Sequence, residues 1–313
     1  MRRIRLAYRD DDRTPVIFCI REMARRYYDI EIEVIQIKAT EDYEAALFNG
    51  ACDVIIEHLE YLYDKAANGR KVAIFLAPSK GGNLELVVPA HVERAEDLKG
   101  RTMAVRTQGQ PHAVALWLKM MGLEKEVRTV DVPDKEVGRW AQWKKVVSGE
   151  CAAAFVSALY LPQALGAGLK VLDVPEIPIV GHYAQACLSA FAAANSALVG
   201  DYVKASIHAV CLMLYRRDEA LEIAAQEPMR RLKIDSRKEL ERQFDAIVKS
   251  LKSKPYPTPQ AIANTFEIAV LDYPAAQDIN PLSLWDLHWV RQLDDAGFID
   301  GLIANLAKPH RSA

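Results

Sequence analysis

The chain has 313 residues, of which 50% are hydrophobic and 26% are charged, and its formal net charge at pH 7 is −2. This length exceeds the usual size of one hydrophobic core, so two lobes are expected, and the composition is that of an ordinary globular protein rather than a disordered one. The chain has no strongly basic balance and no cluster of Lys and Arg interleaved with aromatic residues, which excludes a nucleic-acid-binding surface.

Strands and helices alternate through the first 80 residues. Residues 30–37 (IEIEVIQI) alternate strictly between apolar and polar, which is typical of a strand with one polar face. Thr14 followed by Pro15 indicates the start of a helix. The pattern predicts strands at 4–8, 30–37, 53–56 and 71–77, with helices at 14–28, 40–48 and 59–67. Such alternation indicates a largely parallel sheet with helices on both faces.

Residues 78–82 (PSKGG) interrupt this order, and we interpret them as the first crossing into a second lobe. The α/β alternation then resumes, with strands predicted at 84–88, 102–106, 127–132, 152–156 and 169–174 and helices at 111–121, 135–147 and 158–165. Residues 175–183 are predicted to be extended and to carry the chain back, and from residue 196 the pattern is helical. The predicted segments are therefore 1–82 for the first lobe, 83–183 for the second and 184–313 for the return to the first.

The five cysteines are widely spaced and form no CxxC pair, which favours buried reduced thiols over a zinc site or a disulfide framework. Arg2 and Arg3 are not followed by the apolar stretch of a signal peptide. No apolar run approaches the ~20 residues that span a bilayer, so membrane insertion is not expected. If Met1 is the native start, these features predict a cytoplasmic protein; a signal peptide removed upstream would make it periplasmic.

Several local motifs occur in a recognisable order along residues 1–300. They are EAALFNGACDV at 44–54, a helix ending in Ala67-Asn68-Gly69 before a strand, AEDLKGRTMAV at 95–105, and LWD at 284–286 followed by GFID at 297–300. In this order and spacing the chain resembles the type II periplasmic-binding-protein superfamily. Within it, the chain resembles the solute-binding proteins for sulfonates, taurine and nitrate and the pyrimidine-precursor synthases of thiamine biosynthesis. The resemblance implies an α/β fold of two Rossmann-like lobes with a ligand cleft between them.

The resemblance leaves the activity open, because this fold carries several functions. The cysteine-rich catalytic motif of the thiamine-precursor synthases is absent from this chain, so that chemistry is not carried over. The fold group also includes cytoplasmic enzymes, among them dihydroxyphthalate decarboxylases and menaquinone-pathway enzymes. Residues 9–13 (RDDDR) resemble loosely the first-strand turn of the phthalate decarboxylases.

In open α/β sheets, ligands bind outside the carboxyl ends of the strands, so the loops that follow strands hold the candidate residues. The first loop carries Arg9 and Asp10 in the acidic run at 10–12, which could bind a metal, position a cationic ligand group or cap the next helix. A three-carboxylate metal cage is not expected, because adjacent side chains do not all face one way. Glu57 and His58 end a buried strand, where they are costly unless they face a cleft or pair. Ser79 and Lys80 lie on the crossing.

The second lobe supplies the strongest predicted anion site. A helix begins at Pro111, and the unpaired N–H groups of a helix N-terminus attract anions. Arg106 could add a bidentate fork, and His112 lies on the first helical turn. The ligand-binding residues predicted in and after this lobe are Arg106, Thr107, Gln108, Gly109, Ser157, His182 and Tyr183.

Two functions compete. The first is a cytoplasmic lyase, such as a decarboxylase of a small carboxylate, with His58, His112 and Glu57 as catalytic residues and with no cofactor or metal. The alternative is a non-catalytic binding protein, either the substrate-binding component of an ABC-type uptake system, with a permease as partner, or a cytoplasmic ligand sensor. Both bind a small organic anion, and a homodimer is allowed by either. The absent signal peptide tilts the expectation towards the lyase.

Overall fold

The structure, a computed structural model, describes residues 1–308 except 10, 12, 38–39, 82–83, 108–110 and 158, and it leaves the side chains of residues 40, 41 and 111 undescribed. The described chain divides into two compact units. Unit 1 comprises Met1–Lys80 and Val180–Ala313, and unit 2 comprises Gly81–Ile179. The chain thus leaves unit 1 two residues earlier, and returns four residues earlier, than the sequence predicted.

The described residues form ten strands and fifteen α-helices. The strands are β1 Arg2–Tyr8, β2 Ile30–Gln36, β3 Val54–Ile56, β4 Val72–Leu76, β5 Leu84–Val88, β6 Thr102–Arg106, β7 Arg128–Val132, β8 Ala153–Ser157, β9 Lys170–Leu172 and β10 Gln185–Leu188. The helices are α1 Thr14–Tyr27, α2 Thr40–Ala46, α3 Glu60–Ala67, α4 Pro111–Met120, α5 Asp134–Val137, α6 Lys144–Val147, α7 Leu161–Gly166, α8 Ser189–Ala194, α9 Ser196–Tyr215, α10 Arg217–Ala224, α11 Glu227–Arg231, α12 Arg237–Ser250, α13 Pro259–Asp272, α14 His288–Asp295 and α15 Phe298–Leu306.

The sheet of unit 1 has the strand order β2-β1-β3-β10-β4. β1 is parallel to β2 and β3, whereas β10 is antiparallel to its neighbours β3 and β4. Because side chains alternate across a strand, Leu6 and Tyr8 enter one apolar core with α1 and α9, whereas Ala7 enters a second core on the opposite face. Both faces of this sheet are covered, as the buried strand β3 requires.

The inner strand β10 was missed by the sequence analysis, which predicted an extended return only up to residue 183. It pairs with β3 through three residues and with β4 through all four, with Gln185 opposite Ile56 and Leu188 opposite Val72. No β-branched residue marks this strand, so its local propensity is weak and long-range pairing decides its structure.

The sheet of unit 2 has the order β7-β6-β8-β5-β9, in which β6 is parallel to β7 and β8 and β5 is antiparallel to β8 and β9. The helix predicted over 135–147 was wrong. In its place the chain forms the short helices α5 and α6, separated by Gly138 at φ 100° and Trp140 at φ 57°. Both residues lie in the left-handed region, which an α-helix cannot accommodate.

α9 corrects the expectation about apolar segments. Among the described residues it is the one helix that is long and apolar enough to cross a membrane, and 67% of its most apolar stretch is buried inside the protein. Its buried residues face α1 and α10 in the core of unit 1. Burial in this core accounts for its composition without a bilayer.

Candidate functional site

The carboxyl edge of the unit 1 sheet gathers most of the residues predicted for this unit. Arg9 follows β1, Glu57 and His58 follow β3, and Ser79 and Lys80 follow β4. β10 runs in the opposite direction, so the residues that precede it, His182 and Tyr183, lie at the same edge. The backbone N–H of Glu57 donates to the carbonyl of Ala184 at 3.1 Å, which ties the two loops together.

Arg13 organises this edge, and the sequence analysis did not select it. Its side chain is 4% exposed, and its Nη1 lies 2.6 Å from Oε1 of Glu57 and donates to the carbonyl of Ile56 at 2.9 Å. Its Nη2 lies 2.5 Å from Oδ2 of Asp11. The hydroxyl of Tyr43 donates to the same Ile56 carbonyl at 2.8 Å. One buried guanidinium therefore joins the ends of β1 and β3.

The charges in this network are held ionised by one another. Burial opposes the charge of Glu57, but the Arg13 guanidinium outweighs it, and the pKa of Glu57 lies below its ordinary value. Burial likewise opposes the charge of Arg13, and the carboxylates of Asp11 and Glu57 raise its pKa well above the ordinary value. Glu57 is thus an ion-paired carboxylate with 8% exposure. A general base would need a pKa near the working pH, so this geometry does not favour the predicted catalytic role.

Beside this network lie two imidazole rings. The ring centroids of His58 and His182 are 5.4 Å apart, and the ring of His182 lies 4.5 Å from that of Tyr183. His58 is exposed, His182 is half-buried and Tyr183 is fully buried. The structure therefore brings together two of the histidine-containing loops that the sequence analysis selected, and it presents an aromatic surface to solvent at His58.

Ser79 and Lys80 are held by backbone contacts from the segment after α12. Ser79 is 6% exposed and forms an isolated antiparallel bridge with Leu251. The backbone N–H of Lys80 donates to the carbonyl of Ser250 at 2.8 Å, and its Nζ donates to the carbonyl of Lys249 at 3.0 Å. The ammonium group of Lys80 thus donates to a carbonyl group at the C-terminal end of α12.

In unit 2, the Arg106 guanidinium forms a bidentate ion pair with Asp134, a carboxylate of the same unit. Its Nε donates to Oδ1 of Asp134 at 2.9 Å and its Nη2 lies 2.5 Å from Oδ2. Partial burial would raise the pKa of Asp134, but the hydrogen bonds from Arg106 and Gln142 outweigh it, so the pKa of Asp134 lies below its ordinary value. The guanidinium also lies 4.6 Å from the ring centre of Trp140. Arg106 is therefore fixed in place at the carboxyl edge of β6.

Asp134, Trp140 and Gln142 are functional candidates that the sequence analysis missed. They follow β7, the strand beside β6, so parallel pairing brings them to Arg106. Nε2 of Gln142 donates to the Val132 carbonyl at 3.0 Å and to Asp134 at 3.1 Å. The signal that could have found them is the order of the strands, because Asp134 is the first acidic residue after a strand end next to that of Arg106.

Of the remaining predicted residues, three are described by the structure and three lie outside the described residues. Ser157 ends β8 beside β6 and is 8% exposed, Thr107 follows β6 and is exposed, and His112 is half-buried on α4. Asp10, Gln108 and Gly109 lie outside the described residues. Thr14, which with Pro15 indicated the start of a helix, is the first residue of α1, and its hydroxyl accepts the N–H of Asp11 at 3.2 Å. No three metal-ligating side chains of the described residues are close enough to hold a metal ion.

Comparison with solved structures identifies the fold. The chain is similar to the periplasmic sulfonate-binding protein SsuA from Methylobacillus flagellatus KT, with 17% identity, 96% of each chain covered and a TM-score of 0.68. It is also similar to the periplasmic aliphatic sulphonate-binding protein SsuA from Escherichia coli, with 15% identity, coverage of 91% of this chain and 96% of that one, and a TM-score of 0.66. The alkanesulfonate-binding protein SsuA from Xanthomonas axonopodis pv. citri, bound to MOPS, shares 15% identity over 90% of this chain and 96% of that one, with a TM-score of 0.58.

No protein-family model and no curated protein matches the chain. The likeness in structure confirms the predicted fold, which is that of the two-lobed periplasmic binding proteins. It contradicts the predicted lyase, because the three similar structures are binding proteins for sulfonates. The expectation of an enzyme was therefore wrong. It depended on the absent signal peptide, and one of its three catalytic candidates, Glu57, is engaged by Arg13.

Proposed function

We propose that the protein is a solute-binding protein that captures a small organic anion, a sulfonate or a carboxylate, for an ABC-type membrane transporter. The observation that carries this proposal is the likeness to a sulfonate-binding protein over 96% of both chains. In this role the ligand leaves chemically unchanged, and the membrane permease is the partner. The comparisons give no support to a homodimer.

The same proposal includes the place of action. A receptor for an uptake system acts outside the cytoplasmic membrane, as the sulfonate-binding proteins named as periplasmic do. The cytoplasmic location predicted from the first residues has no support from these structures. Fractionation of cells that express the gene from its native locus tests this part, and recovery of the protein solely with cytoplasmic markers would contradict it.

The site residues of the proposal belong to the carboxyl edges of the two sheets. In unit 1 we assign the ligand contacts to His58 and His182, whose rings lie 5.4 Å apart beside the ion pair of Arg13 and Glu57. In unit 2 we assign them to Arg106, which Asp134 and Trp140 hold in one orientation. Imidazole and guanidinium N–H groups are suitable donors to sulfonate and carboxylate oxygens.

Calorimetric titration with a matched panel tests the function. The panel contains MOPS, alkanesulfonates of two to six carbons and the carboxylates of the same chain lengths. We expect one class to bind, and at a hundred times its Kd to stabilise the fold by about 2.7 kcal/mol, which raises Tm by several degrees. Mass spectrometry of the ligand after long incubation should recover it unaltered, and a product that accumulates with protein concentration would contradict the proposal.

Variants test the assigned contacts. His58→Ala and His182→Ala should each weaken binding about tenfold or more, because each removes a donor to a charged group. His288→Ala is the matched control, since His288 is an exposed histidine on α14 that bonds Asp286. Equal affinity in all three variants would remove the two imidazoles from the site while leaving the binding function itself intact.

A further inference from the structure

Unit 2 carries a groove at the end of its sheet opposite to Arg106. This groove has a volume of about 890 Å3 and is built from the chain before β6, the start of β7 and the turn before β8. The volume lies within the range of roughly 300–1,000 Å3 that is usual for small-molecule sites. None of the residues that we assigned to the proposed solute-binding role lines this groove.

Two arginines line the groove. The backbone N–H of Arg128, the first residue of β7, donates to the carbonyl of Arg101 at 3.0 Å, so the two backbones adjoin at the start of β6 and β7. Both residues are exposed and both line the cavity. Within the described part of the chain, neither guanidinium has an ion pair or a side-chain hydrogen bond. Two unpaired guanidinium groups in one groove are suited to a ligand that carries an anionic group for each.

The acidic residues around the groove do not compensate these arginines, because most are already engaged. Asp97 accepts the backbone N–H groups of Glu93 and Arg94 at 2.9 and 3.1 Å and pairs with the Arg94 guanidinium. Glu150 pairs with Lys145 at 2.7 Å. Hydrogen bonding to the charged forms lowers the pKa of Asp97 and Glu150.

The whole lining carries three arginines and three carboxylates, so the positive excess is confined to the groups that have no ion pair. Glu93 is the one lining carboxylate that makes no side-chain ion pair with the described residues, and it is exposed. The two unpaired arginines stand against this single carboxylate.

Val92, Val146 and Cys151 are buried beneath the groove, where they form its rigid base. The volume of the groove exceeds that of a bare inorganic ion, so it fits an organic molecule that carries its charged groups on a carbon skeleton. We propose that this groove binds a small organic molecule with at least two carboxylate or phosphate groups, one for each arginine. It would be a second ligand site, separate from the solute-binding role.

Citrate is the probe, with butyrate as the comparison that has one carboxylate. Titration of the full chain should show citrate binding that weakens with added salt, as expected for exposed charges, and butyrate at least about tenfold weaker. Arg101→Gln and Arg128→Gln should each reduce citrate affinity about tenfold, and the double variant should abolish it, since each loses one charge-assisted pair. Arg70→Gln, an exposed arginine of unit 1, is the matched control and should bind citrate normally. These substitutions are on the surface, so folding should be preserved.

Amide shifts in a nitrogen-resolved NMR spectrum locate the site independently. Citrate should move the signals of Gly100 and Gly149, which line the groove. Shifts that cluster around Arg106 instead, or unchanged affinity in the double variant, would overturn the proposal. So would a six-residue polyglutamate peptide that binds far more tightly than citrate, because the groove would then be a docking site for an acidic protein segment.

Discussion

The guanidinium of Arg13 is almost completely enclosed, and it forms ion pairs with two carboxylates, those of Asp11 and Glu57. Replacing Arg13 by Leu would leave both carboxylates without a cation, Glu57 in a buried position. Breaking a buried pair from one side typically costs about 3–5 kcal/mol, because an uncompensated charge remains in a medium of low polarity. We expect Arg13→Leu to lower the free energy of unfolding by about that amount, measured by urea denaturation at pH 7.

The control for this prediction is an arginine of the same sheet that is paired on the surface. Arg3 lies 2.6 Å from Glu33, and both side chains are largely exposed, at 59% and 42%. Exposed pairs contribute ~0–1 kcal/mol, so Arg3→Leu should change stability little. If the two variants lost the same stability, the network around Arg13 would have no special role in the fold.

At the level of single residues, the candidate site was partly predictable from the sequence. The sequence showed that Glu57 and His58 end a buried strand and so must pair or face a cleft, and Glu57 pairs. The sequence could not identify Arg13 as the partner of Glu57, because Arg13 precedes Glu57 by 44 positions. The two side chains come into contact only when α1 packs against the sheet. Arg106 shows the same limit. Its chemistry was clear, but Asp134 reaches it only through the pairing of β6 with β7.

Among the helices, the packing of α9 against the end of α1 places a histidine in a partly apolar position. His208 is 8% exposed, its Nδ1 is 3.2 Å from the hydroxyl of Tyr28, and its ring lies 4.7 Å from that of Tyr27. Burial lowers the pKa of His208, with the charge of Glu219 acting in the opposite direction. The folded state therefore binds a proton less readily than the unfolded chain does.

The sign of the pH effect follows from this difference. Above the unfolded pKa of about 6.5, neither state is protonated and His208 imposes no cost. As the pH falls below that value, the unfolded chain takes up a proton first and stability decreases. We expect the slope of unfolding free energy against pH between about 6.5 and 5.5 to flatten in His208→Gln. An unchanged or steeper slope in His208→Gln would contradict this account.

The first crossing between the units offers a test of local packing. A Cβ at Gly81 would lie 2.9 Å from the carbonyl oxygen of Ile177, a distance that real Cβ atoms do not adopt. Gly81→Ala should therefore destabilise unit 2 by about 1–3 kcal/mol, because one of the two connecting segments must shift. Gly166→Ala is the matched control within α7, where nothing lies within 4 Å of the added Cβ, and it should stabilise the helix by up to about 1 kcal/mol. Both changes are measured by thermal unfolding, and a neutral Gly81→Ala would show that the segment yields freely.

The strands and helices differ in how strongly the local sequence pattern predicts them. β1, β2 and β6 were predicted to within about two residues, since each has a continuous apolar or alternating pattern. β10 was not predicted, because four residues without a β-branched side chain become a strand only when two others pair with them. The predicted helix at 135–147 failed because Trp140 adopts a left-handed backbone, stabilised by its contact with Arg106. Tertiary contacts override propensity in both cases.

For the molecule as a whole, the fold is shared with proteins of 15–17% sequence identity. The order of strands and helices specifies that fold but does not specify the ligand. Fold is set by the periodic burial of some hundred apolar residues, which many sequences can supply. Recognition is set by a few side chains on loops, and these differ between proteins of one fold. The likeness in structure therefore supports a binding protein, and the calorimetric titration determines whether its ligand is a sulfonate or a carboxylate.

The five cysteines are distributed over the whole molecule, and all of them are free and buried. Burial raises the pKa of Cys19, Cys52, Cys187 and Cys211 to about 12, and it also raises the pKa of Cys151, the one cysteine of unit 2. The thiolate is the reactive form, so at pH 8 these groups should be nearly inert. Protection by burial operates in any compartment, and the sequence inference from thiols to a cytosolic protein does not hold for that reason.

Labelling with a thiol reagent at pH 8 should consequently report unfolding rather than surface chemistry. In the native protein we expect none of the five to react within minutes, whereas Lys99→Cys, at an exposed position, should react at once. In a urea series read by peptide mass spectrometry, Cys151 should follow the unfolding of unit 2, and the other four that of unit 1. Rapid reaction of Cys151 in the absence of urea would show that the groove floor opens to solvent. Rapid reaction of Cys19 or Cys211 would contradict the core in which α1 packs on α9.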